Sequence, residues 1–325
     1  MGLQVFLVIN PISGAVDEST RLSHYLKFFR SHNWSCQVYR TSGNERTVDA
    51  VRQAVQKGAD LVVVSGGDGT VSEAATALCA TEIPLGILPA GTGNIMARDL
   101  GIPINPDRAL DLLVNAHRIC SMDMMRVGER CYALNVSIGF SAATMGTVER
   151  EQKKRFGFLA YLINLVINLT GARLHRLQVQ VDDLVYRVRA SEVMVGNTSL
   201  VGFRRMPRQL VILPDDGAVD VIIARALTLW DWIMVVVNFV LGIKSANPRF
   251  RTLSARNRIV VQSASPLTVQ ADGDVIGITP VEVQVLPGAV RVIVPGTERN
   301  LVSELLRKAG LYRANRGIGA APTGD

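Results

Sequence analysis

The apolar run Leu61–Val64 leads directly into Ser65-Gly66-Gly67-Asp68-Gly69-Thr70, and a helical pattern begins near Val71. A run so short and so uniformly apolar suits a strand buried on both faces, the kind a parallel sheet with helical cover requires. Glycines let the backbone approach a phosphate, and the helix that follows presents free N–H groups and the positive end of its dipole. Asp68, placed among three glycines and a threonine, can hold Mg²⁺ through water. The loop is neither a GxxxxGK[ST] loop nor a GxGxxG fingerprint, so neither of those assignments transfers.

The same arrangement recurs twice. Leu3–Ile9 runs into Asn10-Pro11-Ile12-Ser13-Gly14, and Leu85–Leu88 runs into Pro89-Ala90-Gly91-Thr92-Gly93-Asn94. Between these lie helical patterns over Arg21–His32, with apolar Leu22, Tyr25, Leu26 and Phe29, and over Glu45–Lys57, Ile95–Leu100 and Arg108–Val114. Cys36–Tyr39 supplies a further strand. Loops at the carboxyl ends of parallel strands converge on one crevice, so three glycine loops predict one phosphate-rich site. Thr92 and Asn94 can donate to phosphate oxygens, and Arg98 follows one helical turn beyond Asn94.

From about Ser121 the pattern changes to period two, over Leu177–Val181, Val185–Val188, Val219–Ile223, Arg258–Val261, Leu267–Gln270, Val281–Val285 and Val290–Val294. Such alternation indicates antiparallel sheet with one face on a core. The 325 residues exceed what one hydrophobic core usually organises. The predicted fold class is therefore α/β: a Rossmann-like parallel-sheet nucleotide domain over 1–122, plus an antiparallel β-sandwich domain over 123–298. A helix over 300–311 is expected to pack back on the first domain, and 312–325 to be a poorly ordered tail.

Hydrophobic residues at 48% and charged residues at 19% exclude a largely disordered chain. A net charge of +7 suits anionic partners: nucleotide phosphates, acidic lipids or nucleic acid. Nucleic acid is the least expected of these, because aromatics reach only 6% and form no platform among the basic residues. Two apolar stretches, Phe158–Thr170 and Leu227–Ile243, are helical candidates; Asp231 and Asn238 interrupt the second, which argues against a membrane span. Periodicity favours helices packed on the β-domain. The alternative is an interfacial surface flanked by Lys153, Lys154, Arg155, Arg173, Lys244, Arg249 and Arg251. Cys36, Cys79, Cys120 and Cys131 show no metal-ligand or CxxC spacing, and no secretory signal precedes Leu3. The expectation is a reduced cytoplasmic protein that associates peripherally with a membrane.

The motifs NPxSG, GGDGT and PxGTGN, in this order, resemble the diacylglycerol kinase catalytic-domain superfamily, which includes bacterial diacylglycerol kinases and sphingosine and ceramide kinases. Further matches are Asn135-Val136-Ser137-Ile138-Gly139-Phe140, Gly157-Phe158-Leu159-Ala160-Tyr161, Asp215-Asp216-Gly217 and Ala271-Asp272-Gly273-Asp274, and Pro287-Gly288-Ala289-Val290-Arg291-Val292 closes the series. The resemblance implies ATP- and Mg²⁺-dependent phosphorylation of a lipid hydroxyl in a cleft between the two domains. By the same resemblance Asn10, Thr41, Gly66, Gly67, Asp68, Gly69, Thr70 and Thr92 would contact ATP, within loops that also hold Ser13, Gly14, Gly91, Asn94 and Arg98. Asp68 would organise Mg²⁺ and phosphates, and Asp123 falls where the family places an active-site carboxylate. Asp216 matches a structural Mg²⁺ ligand, with the carbonyls of Leu213 and Ala218. Asp274 aligns with the last acidic residue of a DGE motif, the proposed general base.

Three departures stand out. Asp274 replaces the usual Glu, shortening its reach by one methylene; Ile95 stands where many bacterial members carry an Asp; and no Lys follows Gly14. On composition alone, Asp272-Gly273-Asp274 and Asp215-Asp216-Gly217 also read as plain turns, and Asp123 as a cap. The competing functions are a kinase of a soluble substrate, since NAD kinases and phosphofructokinases also use GGDGT, and a non-catalytic lipid- or nucleotide-binding protein. The expected partners are a lipid substrate and an anionic membrane surface, with a homodimer left open.

Overall fold

Apolar runs build the first half. The strands β1 (Gln4–Ile9), β3 (Leu61–Gly66) and β4 (Leu85–Pro89) are buried along almost their whole length, while β2 (Ser35–Arg40) alternates as an edge strand does. All four run parallel in the order β2-β1-β3-β4. The computed structural model describes residues 2–14, 16–42, 46–115, 117–139, 142, 173–197, 214–228, 230–231 and 250–296.

Helices α1 (Glu18–Ser31), α2 (Thr47–Gln56), α3 (Asp68–Leu78), α4 (Ile95–Asp99) and α5 (Pro106–Val114) follow successive strands, apart from α5, which follows α4 directly. Local chemistry sets where they begin. The Asp17 carboxylate accepts the N–H groups of Ser19 and Thr20 at the head of α1. Asn105 caps α5 through Arg108 N–H, with Pro106 at its first position. The apolar spacing of α1 puts Leu22, Tyr25 and Phe29 into the core as expected.

The second half is built from β5 (His117–Val127), β6 (Arg130–Tyr132), β7 (Asn135–Gly139), β8 (His175–Val181), β9 (Leu184–Ala190), β10 (Glu192–Gly196), β11 (Val219–Ala224), β12 (Phe250–Ala255), β13 (Arg258–Ser263), β14 (Thr268–Ala271), β15 (Asp274–Ile278) and β16 (Val281–Pro295). Six of these form an all-antiparallel sheet, β12-β11-β10-β7-β14-β15. The inward residues of β8, β13 and the first half of β16 share a buried core with those of β7, β10, β11 and β14. The fold is thus an α/β domain with a parallel sheet plus an antiparallel β-sandwich.

One relationship goes beyond the sequence pattern. The period-two runs Val281–Val285 and Val290–Val294 are a single strand, β16, broken only by a bulge between Leu286 and Val290. Its first half pairs with β13, its second half meets β4 in parallel at Val292↔Leu85, and β5 pairs antiparallel along both halves. The parallel sheet therefore continues into one layer of the sandwich. Strand β5 likewise contains both 122 and 123, with Met122 and Met124 in the first core and Met125 in the second.

Phe158–Thr170, most of Leu227–Ile243, and 300–325 lie outside the described residues. Among the described residues no helix is long and apolar enough to cross a membrane. None of the four cysteines forms a disulfide.

Candidate active site

The two glycine loops that follow β3 and β4 meet backbone to backbone. A Cβ on Gly91 would lie 2.5 Å from the Gly67 Cα, so the approach is closed to any other residue. Ala90 N–H donates to Gly66 O at 3.0 Å and fixes the register. Asp68, the first residue of α3, accepts the Met96 N–H at 3.2 Å and so caps α4. Burial pushes its carboxyl above the usual carboxylate range, against the lowering effect of backbone hydrogen bonds from Met96, Ile95 and Asn94.

The first loop joins the same edge. Asn10 donates its N–H to Ser65 O at 2.9 Å and its side-chain amide to Thr70 Oγ1 at 3.2 Å. Ser13 N–H donates to Asn10 O, Gly14 adopts φ +91° beside the Ala90 backbone, and Thr41 N–H donates to Ile9 O. Asn10, Ser13, Gly14, Thr41, Gly66–Thr70 and Gly91–Asn94 thus share the carboxyl edge of four parallel strands. Thr92 is exposed there. Asn94 is buried and closes its own loop: Oδ1 accepts Gly91 N–H at 2.9 Å and Nδ2 donates to Gly91 O at 2.7 Å. Arg98 folds back to donate to Gly93 O.

Arg21 is a residue the sequence reading did not single out. It is 7% exposed and donates from Nη1 to Ser65 Oγ, from Nη2 to Asn10 O and from Nε to Val16 O. It locks the first loop to the end of β3 from beneath. The available signal was its place on the buried face of α1, four residues before Tyr25, where a cation needs a reason.

The acidic hairpin comes from the second domain. Asp272 (φ +48°) and Gly273 (φ +93°) form the two-residue turn between β14 and β15, and both have the positive φ of a type I′ turn. Asp274 follows, exposed at the head of β15. Ser72 Oγ, one turn beyond Asp68 on α3, donates to the Asp272 carboxylate. The hairpin carrying Asp274 is thereby fastened to the helix that starts at the glycine loop.

Asp123 and Asp216 come together elsewhere, at the β16 bulge. Asp123 is 1% exposed; its Oδ1 accepts Gly288 N–H and its Oδ2 accepts Gly217 N–H, each at 2.7 Å. Among the described residues no hydrogen bond links Asp123 to the glycine loops. Asp216 accepts Ala218 N–H at 3.1 Å. Burial, reinforced by the charges of Asp123 and Asp215, pushes its carboxyl up to about 6. Burial also raises Asp123, with Asp215 adding to the effect. Asp215 has partial relief from Cys120 Sγ at 3.5 Å and Arg118 at 4.0 Å.

Among the described residues no three His, Cys, Asp or Glu side chains are arranged as a metal-ligand set. A cation here would need carbonyl oxygens as well, and the donors present are all oxygen, as Mg²⁺ prefers. Beside Asp123, the fully buried Asn197 donates to Asp123 O at 2.6 Å, and its Oδ1 has no hydrogen-bond partner among the described residues. Asp123, buried, with the half-buried Asp215 and Asp216 beside it, supplies the oxygen donors that a hard cation takes. Leu213 lies outside the described residues.

The diacylglycerol kinase catalytic domain matches residues 4–127, and the YegS C-terminal NAD kinase beta sandwich-like domain matches 134–294. A diacylglycerol kinase of Mycobacterium tuberculosis is 30% identical over 256 residues, covering 74% of this chain and 79% of that protein. The chain belongs to the diacylglycerol kinase catalytic domain family. This diacylglycerol kinase family member is also 28% identical over 306 residues to an uncharacterized Synechocystis protein, with 89% of this chain and 70% of that one covered. In fold it is similar to a diacylglycerol kinase from Bacillus anthracis, with a TM-score of 0.68, 22% identity, and 90% of this chain and 96% of that one covered.

Proposed function

We propose that this chain transfers the γ-phosphoryl group of ATP to a hydroxyl of a lipid of the diacylglycerol type. The observation that carries the reading is the backbone-to-backbone meeting of the two glycine loops at the start of α3. Such an edge offers N–H groups to a polyphosphate without side chains in the way. Asn10, Thr41, Thr70 and Thr92 border it and would orient the nucleotide. Asp274 accepts the proton of the lipid hydroxyl while that oxygen bonds to Pγ in line; the bond from Pγ to the β-phosphate oxygen breaks and ADP leaves. Mg²⁺, when bound, neutralises phosphate charge; Asp68 is the residue that would hold it at the nucleotide, and Asp216 with the carbonyls of Leu213 and Ala218 the set that would hold a structural ion.

An anionic bilayer is the proposed place of work. At one end of the sandwich Arg176 pairs across strands with Arg189, and Ser191 N–H donates to Ala224 O, bringing the exit of β11 alongside. Arg173, Arg176, Arg189 and Arg225 are exposed there, with Leu227 41% and Trp230 64% exposed. Cationic side chains beside an exposed tryptophan suit a headgroup layer.

The test is a labelled-ATP transfer assay over a lipid panel that includes diacylglycerol, sphingoid bases and extracted host lipids, with NAD as a soluble acceptor. Label in a lipid is the expected result; label only in NAD would favour a soluble substrate, and none in any acceptor would favour a binding protein. Asp274→Asn should lower turnover by about 10²–10⁴-fold, the range of general-base catalysis, and Asp274→Glu should keep it.

A further inference from the structure

The Asp272 carboxylate has more partners than a turn requires. An aspartate in a tight turn ordinarily bonds within its own loop. Here Oδ1 accepts the N–H groups of Leu134 and Asn135, each at 3.0 Å, and Oδ2 accepts Ala133 N–H at 2.9 Å. Ser72 Oγ, 200 positions away, is the fourth donor to the carboxylate and the second to Oδ2. Asp272 N–H in turn donates to Asn135 O at 3.0 Å.

The partners come from two separate parts of the molecule, the helix α3 and the segment 133–135. Ser72 is 5% exposed on α3, one turn after Asp68 and on the same face of the helix. Ala133 and Leu134 lie in the first core, while Val136 opens the second. Gln270, 4% exposed, accepts Gly273 N–H through Oε1 at 2.9 Å and donates from Nε2 to Asn135 Oδ1 at 3.0 Å. The turn is therefore held from three sides, and its two positive-φ residues leave little freedom in where Asp274 begins.

We infer that Asp272, through Ser72, is a positioning residue that sets the location of the Asp274 carboxylate relative to the phosphate loops across the domain junction. Asp272 has its oxygens occupied and takes no proton from substrate; Ser72 is its counterpart on the nucleotide side. The catalytic consequence rests on the kinase reading above, whereas the positional one does not. The shorter reach of Asp relative to Glu at 274 makes placement more demanding, since a misplacement of about 1 Å can cost ~10²-fold in rate.

The experiment compares the parent protein with Ser72→Ala, Asp272→Asn and the double variant. Ser72→Ala keeps all three backbone N–H partners of Asp272, so it removes the cross-junction bond without unfolding the hairpin. Amide hydrogen exchange across 270–276 should speed up by about tenfold in Ser72→Ala, as expected for a local opening made easier, while exchange in β1 and β3 stays as in the parent. In the transfer assay kcat should fall roughly ten- to a hundredfold, with the KM for ATP unchanged because the glycine loops are untouched. The double variant should fall no further than Asp272→Asn alone, as expected if the two residues act through one bond. Parental exchange in the hairpin of Ser72→Ala overturns the inference, as does a kcat loss in the double variant equal to the product of the single losses. If the parent transfers label to no acceptor, the kinase reading fails, and the exchange result alone decides whether Ser72 holds the hairpin.

Discussion

The Asp68 carboxylate accepts the backbone N–H of Met96 at 3.2 Å, so the acidic residue of one glycine loop caps the helix that leaves the other. One side chain thus joins the two loops and presents negative charge where a nucleotide-bound cation would lie. These two roles are separable by mutation.

Asp68→Asn keeps an oxygen for Met96 N–H and removes the charge. Turnover should fall by roughly 10²–10³-fold, as when a single electrostatic contact to the transition state is lost, with little change in melting temperature. Asp68→Ala removes the cap as well and should cost about 1 kcal/mol of stability in addition, measured by urea unfolding. A fully active Asp68→Ala protein would remove the nucleotide site from this edge.

Gly91→Ala forces a Cβ to within 2.5 Å of the Gly67 Cα, a clash between two backbones that no rotamer relieves. The loops must separate. The expected outcome is destabilisation by about 1–3 kcal/mol and a marked rise in the KM for ATP. For stability alone Gly69→Ala is the control, because a Cβ there meets no protein atom within 4 Å.

The raised carboxyl of Asp216 fixes the sign of a pH effect. Its folded pKa of about 6 lies above the ordinary value, so its stabilising contribution is fully present at low pH and is lost as pH rises through 6. Without divalent ions, Asp216→Asn should melt higher than the parent at pH 7.5 and similarly at pH 4. Mg²⁺ should raise the melting temperature of the parent more at pH 7.5 than at pH 5, and that of Asp216→Asn little, read by differential scanning calorimetry. Equal Mg²⁺ effects on both proteins would place the ion elsewhere.

Vesicle co-sedimentation tests the basic end of the sandwich. Binding should require anionic lipid and weaken with salt. Each of Arg176→Ser and Arg189→Ser should reduce affinity about fivefold, on the order of 1 kcal/mol per basic residue near an acidic bilayer. Absence of binding at low salt would count against a membrane surface there.

Much of this architecture was visible in the sequence because its signals are local. Apolar runs ending in glycines marked β1, β3 and β4, and period-two alternation marked β8, β9, β11, β13 and β14. The strand β5 escaped notice because Met122, Asp123, Met124 and Met125 are all buried, leaving no alternation to read. Val281–Val285 and Val290–Val294 read as two separate runs, whereas Pro287 lies in the bulge of the single strand β16; such a residue can interrupt a ladder without ending the strand. The site divides in the same way. Glycine loops are contiguous and were legible, but the partners of Asp272 and Asp123 are assembled from residues far apart in the chain. No spacing rule reveals that Asp123 faces a bulge and Asp272 a helix.

The continuity of β16 bears on how the molecule comes apart. Cutting the chain between the family matches at 127 and 134 would yield an N-terminal fragment whose β4 keeps β3 but has lost β16 on its other side, leaving an apolar edge bare. Such edges invite pairing with other chains. The isolated nucleotide half is therefore expected to aggregate when expressed alone, and the intact protein to melt in one calorimetric step, because a single ribbon is woven through both halves.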